Sequence, residues 1–113
     1  MLFLTNIIWA IRKGFSPKAA VLCDINFNLL PQSTRILHPY GITIGVGATV
    51  GENVTLAQHV TIMGHCTIGE GVFIGANAVI FRGVTIGANA KIGVGALVLK
   101  DVPADFTVTG VYK

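Results

Sequence analysis

The sequence predicts an all-β fold, a parallel β-helix of hexapeptide repeats, and three observations carry that prediction. Ile44, Val50, Leu56, Ile62, Ile68, Ile74, Ile80, Ile86, Ile92 and Val98 place a branched aliphatic at every sixth residue without a break. Two residues before each stands a second apolar side chain, usually smaller: Ile42, Ala48, Val54, Val60, Cys66, Val72, Ala78, Val84, Ala90 and Ala96. Three residues after each anchor come Gly47, Asn53, His59, His65, Gly71, Asn77, Gly83, Asn89, Gly95 and Asp101, the residue types that best tolerate a left-handed backbone. A period of six held this long marks short strands that stack coil upon coil, each corner turned by a residue of the third series.

The chain divides into an N-terminal helical segment and connector over residues 1–35, the β-helix over 36–105 and a C-terminal tail over 106–113. Residues 2–13 are expected to be helical and to stop near Gly14, which has no Cβ to oppose a helix end. Ser16 and Pro17 begin a second short helical stretch. Asn26 to Arg35 connects, with Pro31 fixing its backbone. Ile36 opens extended structure, and His38, Pro39, Tyr40 and Gly41 form the first corner. Counting back six from Ile44 puts His38 in the inward phase, but an unpaired imidazole beside Pro39 suits a small apolar core poorly, and a turn at the corner that follows is the alternative that rotates it outward.

Within each hexad the residue before the anchor is often threonine (Thr43, Thr49, Thr55, Thr61, Thr67, Thr85), a β-branched residue suited to the outer side of a short strand. Three hexads close one triangular coil, so residues 18 apart stack about 4.8 Å from each other. The three edges then differ. Met63, Phe81 and Leu99 follow their anchors in one column below Gly45, whereas the other two columns carry glycine or alanine there. An exposed apolar ridge of this kind marks an interface with a neighbouring subunit or a ligand groove. Asp101, Val102, Pro103 and Ala104 break the register, and the stack is expected to end with them.

The totals narrow the function classes. At 113 residues the chain is one domain, 52% hydrophobic and only 12% charged. A stack this thin buries little core per residue, so its side faces are expected to be covered by sister subunits. A net charge of +3, partly from the scattered Arg12, Lys13 and Lys18, is too small for a nucleic-acid footprint but welcomes an anionic ligand. Cys23 and Cys66 form neither a disulfide framework nor a metal-ligand pattern, which fits a cytoplasmic site; Cys66 occupies an inward slot. Residues 1–11 are apolar but lack a basic leader and a cleavage site, and they are too short to span a bilayer. A packing helix is the expectation, with a membrane-surface anchor as its alternative.

The segment Leu37-His38-Pro39-Tyr40-Gly41-Ile42-Thr43-Ile44-Gly45, the hexads after it and Val98-Leu99-Lys100-Asp101-Val102-Pro103 resemble bacterial acetyltransferases of the left-handed β-helix class. Within that class they are similar to the serine acetyltransferases and their small relatives in polysaccharide biosynthesis. The resemblance covers about residues 28–111. It implies a left-handed coil, a homotrimer, and acetyl-CoA as co-substrate lying between adjacent β-helices, with no metal. His38 matches the family's catalytic histidine. The segment from His65 to Val72 aligns with a family motif, His-Pro-x-Ile-x-Glu-Gly-Val, that carries a second active-site histidine. Asn28 stands where the family has an acid that orients the base, and Leu37 replaces another that contacts the serine amino group. Those departures turn the expected acceptor from serine toward a sugar hydroxyl or another alcohol. The family's ending, Asn or Val followed by Pro-Ala-Arg, is missing after Gly110 and Val111, which implies weakened cofactor binding or a truncated form.

The expected chemistry is acetyl transfer from a thioester to the hydroxyl of a small acceptor, with histidine as general base. The candidate residues are His38 and His65 for catalysis, Asn28 and Tyr40 for the acceptor, and Met63, Gly64, Phe81, Gly83 and Leu99 for the cofactor. His59 has no motif and fills a corner slot where histidine is already tolerated. His38 and His65 fall on different edges of the prism, so they can meet only where one subunit abuts another. Two other classes stand beside this one. One is a non-catalytic scaffold or regulatory subunit, which the residue at Asn28 and the short ending favour. The other is a γ-type carbonic anhydrase, whose zinc-histidine spacing His38, His59 and His65 do not meet.

Overall fold

A branched aliphatic at every sixth position leaves room for only two extended residues before the next corner. The computed structural model, which describes residues 30–113, is built from thirteen such two-residue strands. They stack in parallel into three faces of a β-solenoid of about four turns. One face holds β1 (Arg35–Ile36), β4 (Thr55–Leu56), β7 (Phe73–Ile74), β10 (Lys91–Ile92) and β12 (Thr107–Val108), in that order. The second holds β2 (Thr43–Ile44), β5 (Thr61–Ile62), β8 (Val79–Ile80), β11 (Leu97–Val98) and β13 (Val111–Tyr112). The third holds β3 (Thr49–Val50), β6 (Thr67–Ile68) and β9 (Thr85–Ile86). Among the described residues there is no helix, and so none long and apolar enough to cross a membrane. The helical segments expected over residues 2–13 and after Ser16, the surface anchor expected at 1–11, Cys23 and Asn28 lie outside the described residues.

The anchors point inward as a single column of side chains on each face. Leu56, Ile62, Ile74, Ile80, Ile92 and Val98 are wholly buried, and Val54, Val60, Cys66, Val72, Ala78 and Ala90 fill the spaces between them. Burying each large aliphatic stabilises the fold by about 1.5–3 kcal/mol before entropy is counted. Ile44 and Val50, in the first full coil, are only partly buried against this core. Cys66 is part of it: its thiol donates to the Phe81 carbonyl at 3.0 Å, and burial pushes its pKa up from the ordinary range, so it stays a neutral packing group.

The corners follow their residue types. Asn53, His59, His65, Asn77 and Asn89 have φ between 58° and 63°, and Gly47, Gly71, Gly83 and Gly95 lie between 71° and 79°. Asp101 is the exception and corrects the expected series: it is not left-handed, and Asp105 (φ 62°) turns the corner in its place. The reason is a change of coil length. Ile44, Ile62, Ile80 and Val98 pair at 18-residue intervals, as do Val50, Ile68 and Ile86. At the C-terminal end the intervals contract, with Ile86 bridging Val102, Ile92 pairing Val108 and Val98 pairing Tyr112.

The expected end of the stack at residues 101–104 is therefore also corrected. The register breaks there, but Val102, β12 and β13 add a shortened last coil. Asp101 makes the break tolerable: its Oδ1 accepts the Thr85 N–H at 2.9 Å, while the Val102 N–H donates to the Thr85 carbonyl at 3.0 Å. The opposite irregularity opens the solenoid. Ile36 pairs with Leu56, 20 residues on, so two extra residues bulge from the first corner. That bulge moves the inward phase from residue 38 to Ile36, which is 6% exposed, and turns His38 outward. The inward position that counting by six assigns to His38 is thus overturned.

Candidate active site

Three corner columns run along the solenoid, and they carry different chemistry. The first comprises residues 37–41, 57–59, 75–77 and 93–95, tied together where His59, Asn77 and Gly95 donate their N–H groups to the carbonyls of Tyr40, Gln58 and Ala76 at 2.8–3.1 Å. It contains no Asp, Glu, Lys or Arg. The bulge stands at its N-terminal end, closed by a Tyr40 N–H to His38 carbonyl bond of 2.9 Å. Leu37 and Tyr40 are about half exposed on either side of the exposed His38. One coil below, the His59 imidazole folds back over Gly41. A Cβ added at Gly41 would come within 2.2 Å of its Nδ1, so only glycine leaves the ring its place.

The second column comprises residues 45–47, 63–65, 81–83 and 99–101. Met63 is half-buried, while Phe81 and Leu99 are 47% and 37% exposed, so the apolar ridge expected from the sequence is present on the surface of the chain. Beside it stand the exposed cations Arg82 and Lys100, at equivalent positions of successive coils. Lys100 Nζ lies 4.9 Å from the centre of the Tyr112 ring. His65 folds over Gly47 as His59 does over Gly41, its Nδ1 2.4 Å from where a Cβ would be. Gly83 is open, with no atom within 4 Å of an added Cβ. The third column, residues 51–53, 69–71, 87–89 and 103–105, is acidic through Glu52, Glu70 and Asp105. There the Ser33 hydroxyl donates to Glu52 and accepts the Asn53 N–H at 2.8 Å.

The candidate residues thus fall into two groups. His38 and Tyr40 share the neutral column. Met63, Gly64, His65, Phe81, Gly83 and Leu99 share the basic, apolar one, and no single chain brings the groups together. Arg82 and Lys100 escaped the sequence argument, although their 18-residue spacing beside the ridge is a signal that could have found them. Among the described residues no group of three His, Cys, Asp or Glu side chains is placed to hold a metal ion.

Comparisons with known proteins agree with this architecture. Residues 47–82 match the bacterial transferase hexapeptide (six repeats), and residues 66–100 match the hexapeptide repeat of succinyl-transferase. A serine acetyltransferase from Buchnera aphidicola is 47% identical over 47 residues, which is 42% of this chain and 17% of that protein. The chain carries hexapeptide repeats and is similar to the serine acetyltransferases. The crystal structure of Neisseria gonorrhoeae serine acetyltransferase in complex with serine superposes with a TM-score of 0.67 at 40% identity, covering 69% of this chain and 35% of that one. A serine acetyltransferase complex with CoA superposes with a TM-score of 0.65 at 26% identity, covering 92% of this chain and 49% of the other. The hexapeptide-repeat chain therefore spans half or less of the length of these relatives.

Proposed function

We propose that this protein transfers an acetyl group from acetyl-CoA to a hydroxyl of a small acceptor, and that His38 is the general base. The observation that carries this is the exposure of His38 on the bulged corner, where the extra residues turn an imidazole out of an otherwise aliphatic column. Similarity to serine acetyltransferases, one of them solved with CoA, supports the reaction class.

In this reaction the acceptor oxygen attacks the thioester carbonyl as a neutral His38 nitrogen takes its proton. The tetrahedral intermediate collapses, the C–S bond breaks, and the thiolate of CoA leaves and recovers a proton. General-base catalysis of this kind typically contributes about 10²–10⁴-fold.

The second column fits the other substrate. A nucleotide-bearing thioester has a flat apolar base, a long flexible arm and several phosphates. Met63, Phe81 and Leu99 offer apolar surface, Gly83 leaves room beside it, and Arg82 and Lys100 supply positive charge for phosphate, while Gly64 packs close to the Val46 carbonyl of the coil above. Because that column and the His38 column are separate corners of one chain, the complete site is formed between copies. A cyclic homotrimer sets the His38 edge of one subunit against the His65 edge of the next. A cytoplasmic location, where acetyl-CoA is made, suits this activity.

Thiol release from acetyl-CoA, followed with sugars and amino alcohols as acceptors, tests the proposal. Wild-type chain should release CoA in an acceptor-dependent way, and His38→Ala should lose at least about a hundredfold of that rate. Equal rates for the two refute the role of His38. Failure to bind CoA in a calorimeter identifies a scaffold instead.

A further inference from the structure

The two ends of the solenoid are not alike. At the C-terminal end the shortened coil brings Val102 and Val108 inward, and they are 3% and 1% exposed. At the other end β1, β2 and β3 begin the three faces. Ile44, Ala48 and Val50 point inward there, in the slots that Ile62, Cys66 and Ile68 fill one coil below. Those three are 2% exposed or less, whereas Ile44, Ala48 and Val50 are only partly buried. We propose that this mouth is the docking surface for an apolar stretch of the same chain within residues 1–29, which caps it and gives Thr34 a hydrogen-bond partner.

Thr34 supplies the polar half of the argument. It takes the slot two residues before an anchor, the one that Val54, Val72 and Ala90 fill in the coils below it. Its hydroxyl is buried and has no hydrogen-bond partner among the described residues. A hydroxyl left unpaired in the interior is costly, and native structures pair most such groups. It stands at the same end as the uncovered aliphatics, so a single cap covers the one and pairs the other.

The occupant follows from where the chain enters. Leu30 is 7% exposed and belongs to the core cluster, so residue 29 begins at the mouth and no span has to be crossed. From Ile36 to Gly51 there is no Asp, Glu, Lys or Arg, which suits an apolar cover. Phe3, Leu4, Ile7, Ile8 and Ile11 form one stripe at the helical spacing expected of residues 2–13, with Thr5, Asn6, Arg12 and Lys13 opposite. Sister subunits packed side by side cover faces and edges, whereas the mouth looks along the solenoid axis and stays free for the chain's own segment.

The test reads the mouth without substrate, so its outcome is separate from that of acetyl transfer. Full-length chains carrying p-benzoylphenylalanine in place of Val46, exposed on the rim of the mouth, or of Val94, also exposed but near the other end, are irradiated with and without phosphatidylglycerol vesicles. The probe at 46 should cross-link within one chain to a peptide from residues 1–29, and the probe at 94 should not. Capture of another copy or of lipid by the probe at 46, or of no peptide from residues 1–29, overturns the proposal. Stability gives a second reading. Val50→Thr should lower the folded-to-unfolded ratio about tenfold, because its hydroxyl is placed under cover. Thr34→Val should lower it about tenfold through the lost hydrogen bond, and Thr34→Ser by much less. A Val50→Thr chain as stable as wild type, or a Thr34→Val chain more stable than it, overturns the cap.

Discussion

At Gly47 two constraints coincide: the backbone is left-handed (φ 79°), and the His65 imidazole from the next coil occupies the space a Cβ would need. Gly95 is left-handed as well (φ 71°), but nothing lies within 4 Å of its missing Cβ. The two positions separate conformational strain from steric exclusion. Gly95→Ala should cost about 1–2 kcal/mol, the usual penalty for a Cβ in the left-handed region. Gly47→Ala should cost clearly more, and His65→Asn in that background should recover part of the difference, since a shorter side chain leaves the added methyl more room. Urea midpoints of the four chains decide this; equal losses at Gly47 and Gly95 would show that the imidazole yields freely. The residue types that turn the corners were legible in the sequence because only a few types accept this backbone. Which corner side chain lies over which glycine was not, since that depends on how one coil is placed on the next.

Strands of two residues cannot hold themselves, so each element here depends on its neighbours one coil away. Where the coil length changes, something must take over the interrupted hydrogen bonds. At the C-terminal end that is Asp101, whose carboxylate receives the Thr85 N–H. Asp101→Ala should lower stability by about 0.5–1.5 kcal/mol, the net worth of one such bond. It should also speed amide exchange over residues 102–112 while leaving β5 and β8 protected, and Asp101→Asn, which keeps an acceptor oxygen, should restore most of both. Uniform exchange throughout the solenoid in Asp101→Ala would show that the last coil has no separate dependence on this contact. The regular middle of the solenoid was legible to the residue because every anchor from Ile44 to Val98 repeats at six. Its two ends were not. The bulge before Gly41 and the contraction after Val98 each break the count, and a period says nothing about pairing once its register is lost. The count of six alone misplaces His38 and the corner at Asp101 for that reason, while the outward turn of His38 was the alternative that its polarity offered.

Among the described residues the solenoid presents one neutral, one basic and apolar, and one acidic edge. The proposed site needs the first two, which lie on separate corners of a chain, so its completeness is a property of the assembly. Mixing inactive His38→Ala and His65→Ala subunits by joint refolding should restore measurable thiol release, because some interfaces would then pair an intact His38 edge with an intact His65 edge. The absence of any recovery in verified mixed oligomers would place both histidines outside a shared site.

By itself the sequence determined the coil. A branched aliphatic every six residues, with left-handed residue types between, leaves a stack of short parallel strands as the arrangement that buries the one series and turns on the other. It also determined the apolar ridge of Met63, Phe81 and Leu99, since a fixed period converts an interval of 18 residues into adjacency. The tertiary structure alone decided what happens where the period fails: that His38 faces outward between Leu37 and Tyr40, that His59 rests against Gly41 beneath it, and that the stack runs on past Val102. Those placements follow from hydrogen bonds between coils of unequal length, and such bonds belong to pairs of residues far apart in the chain.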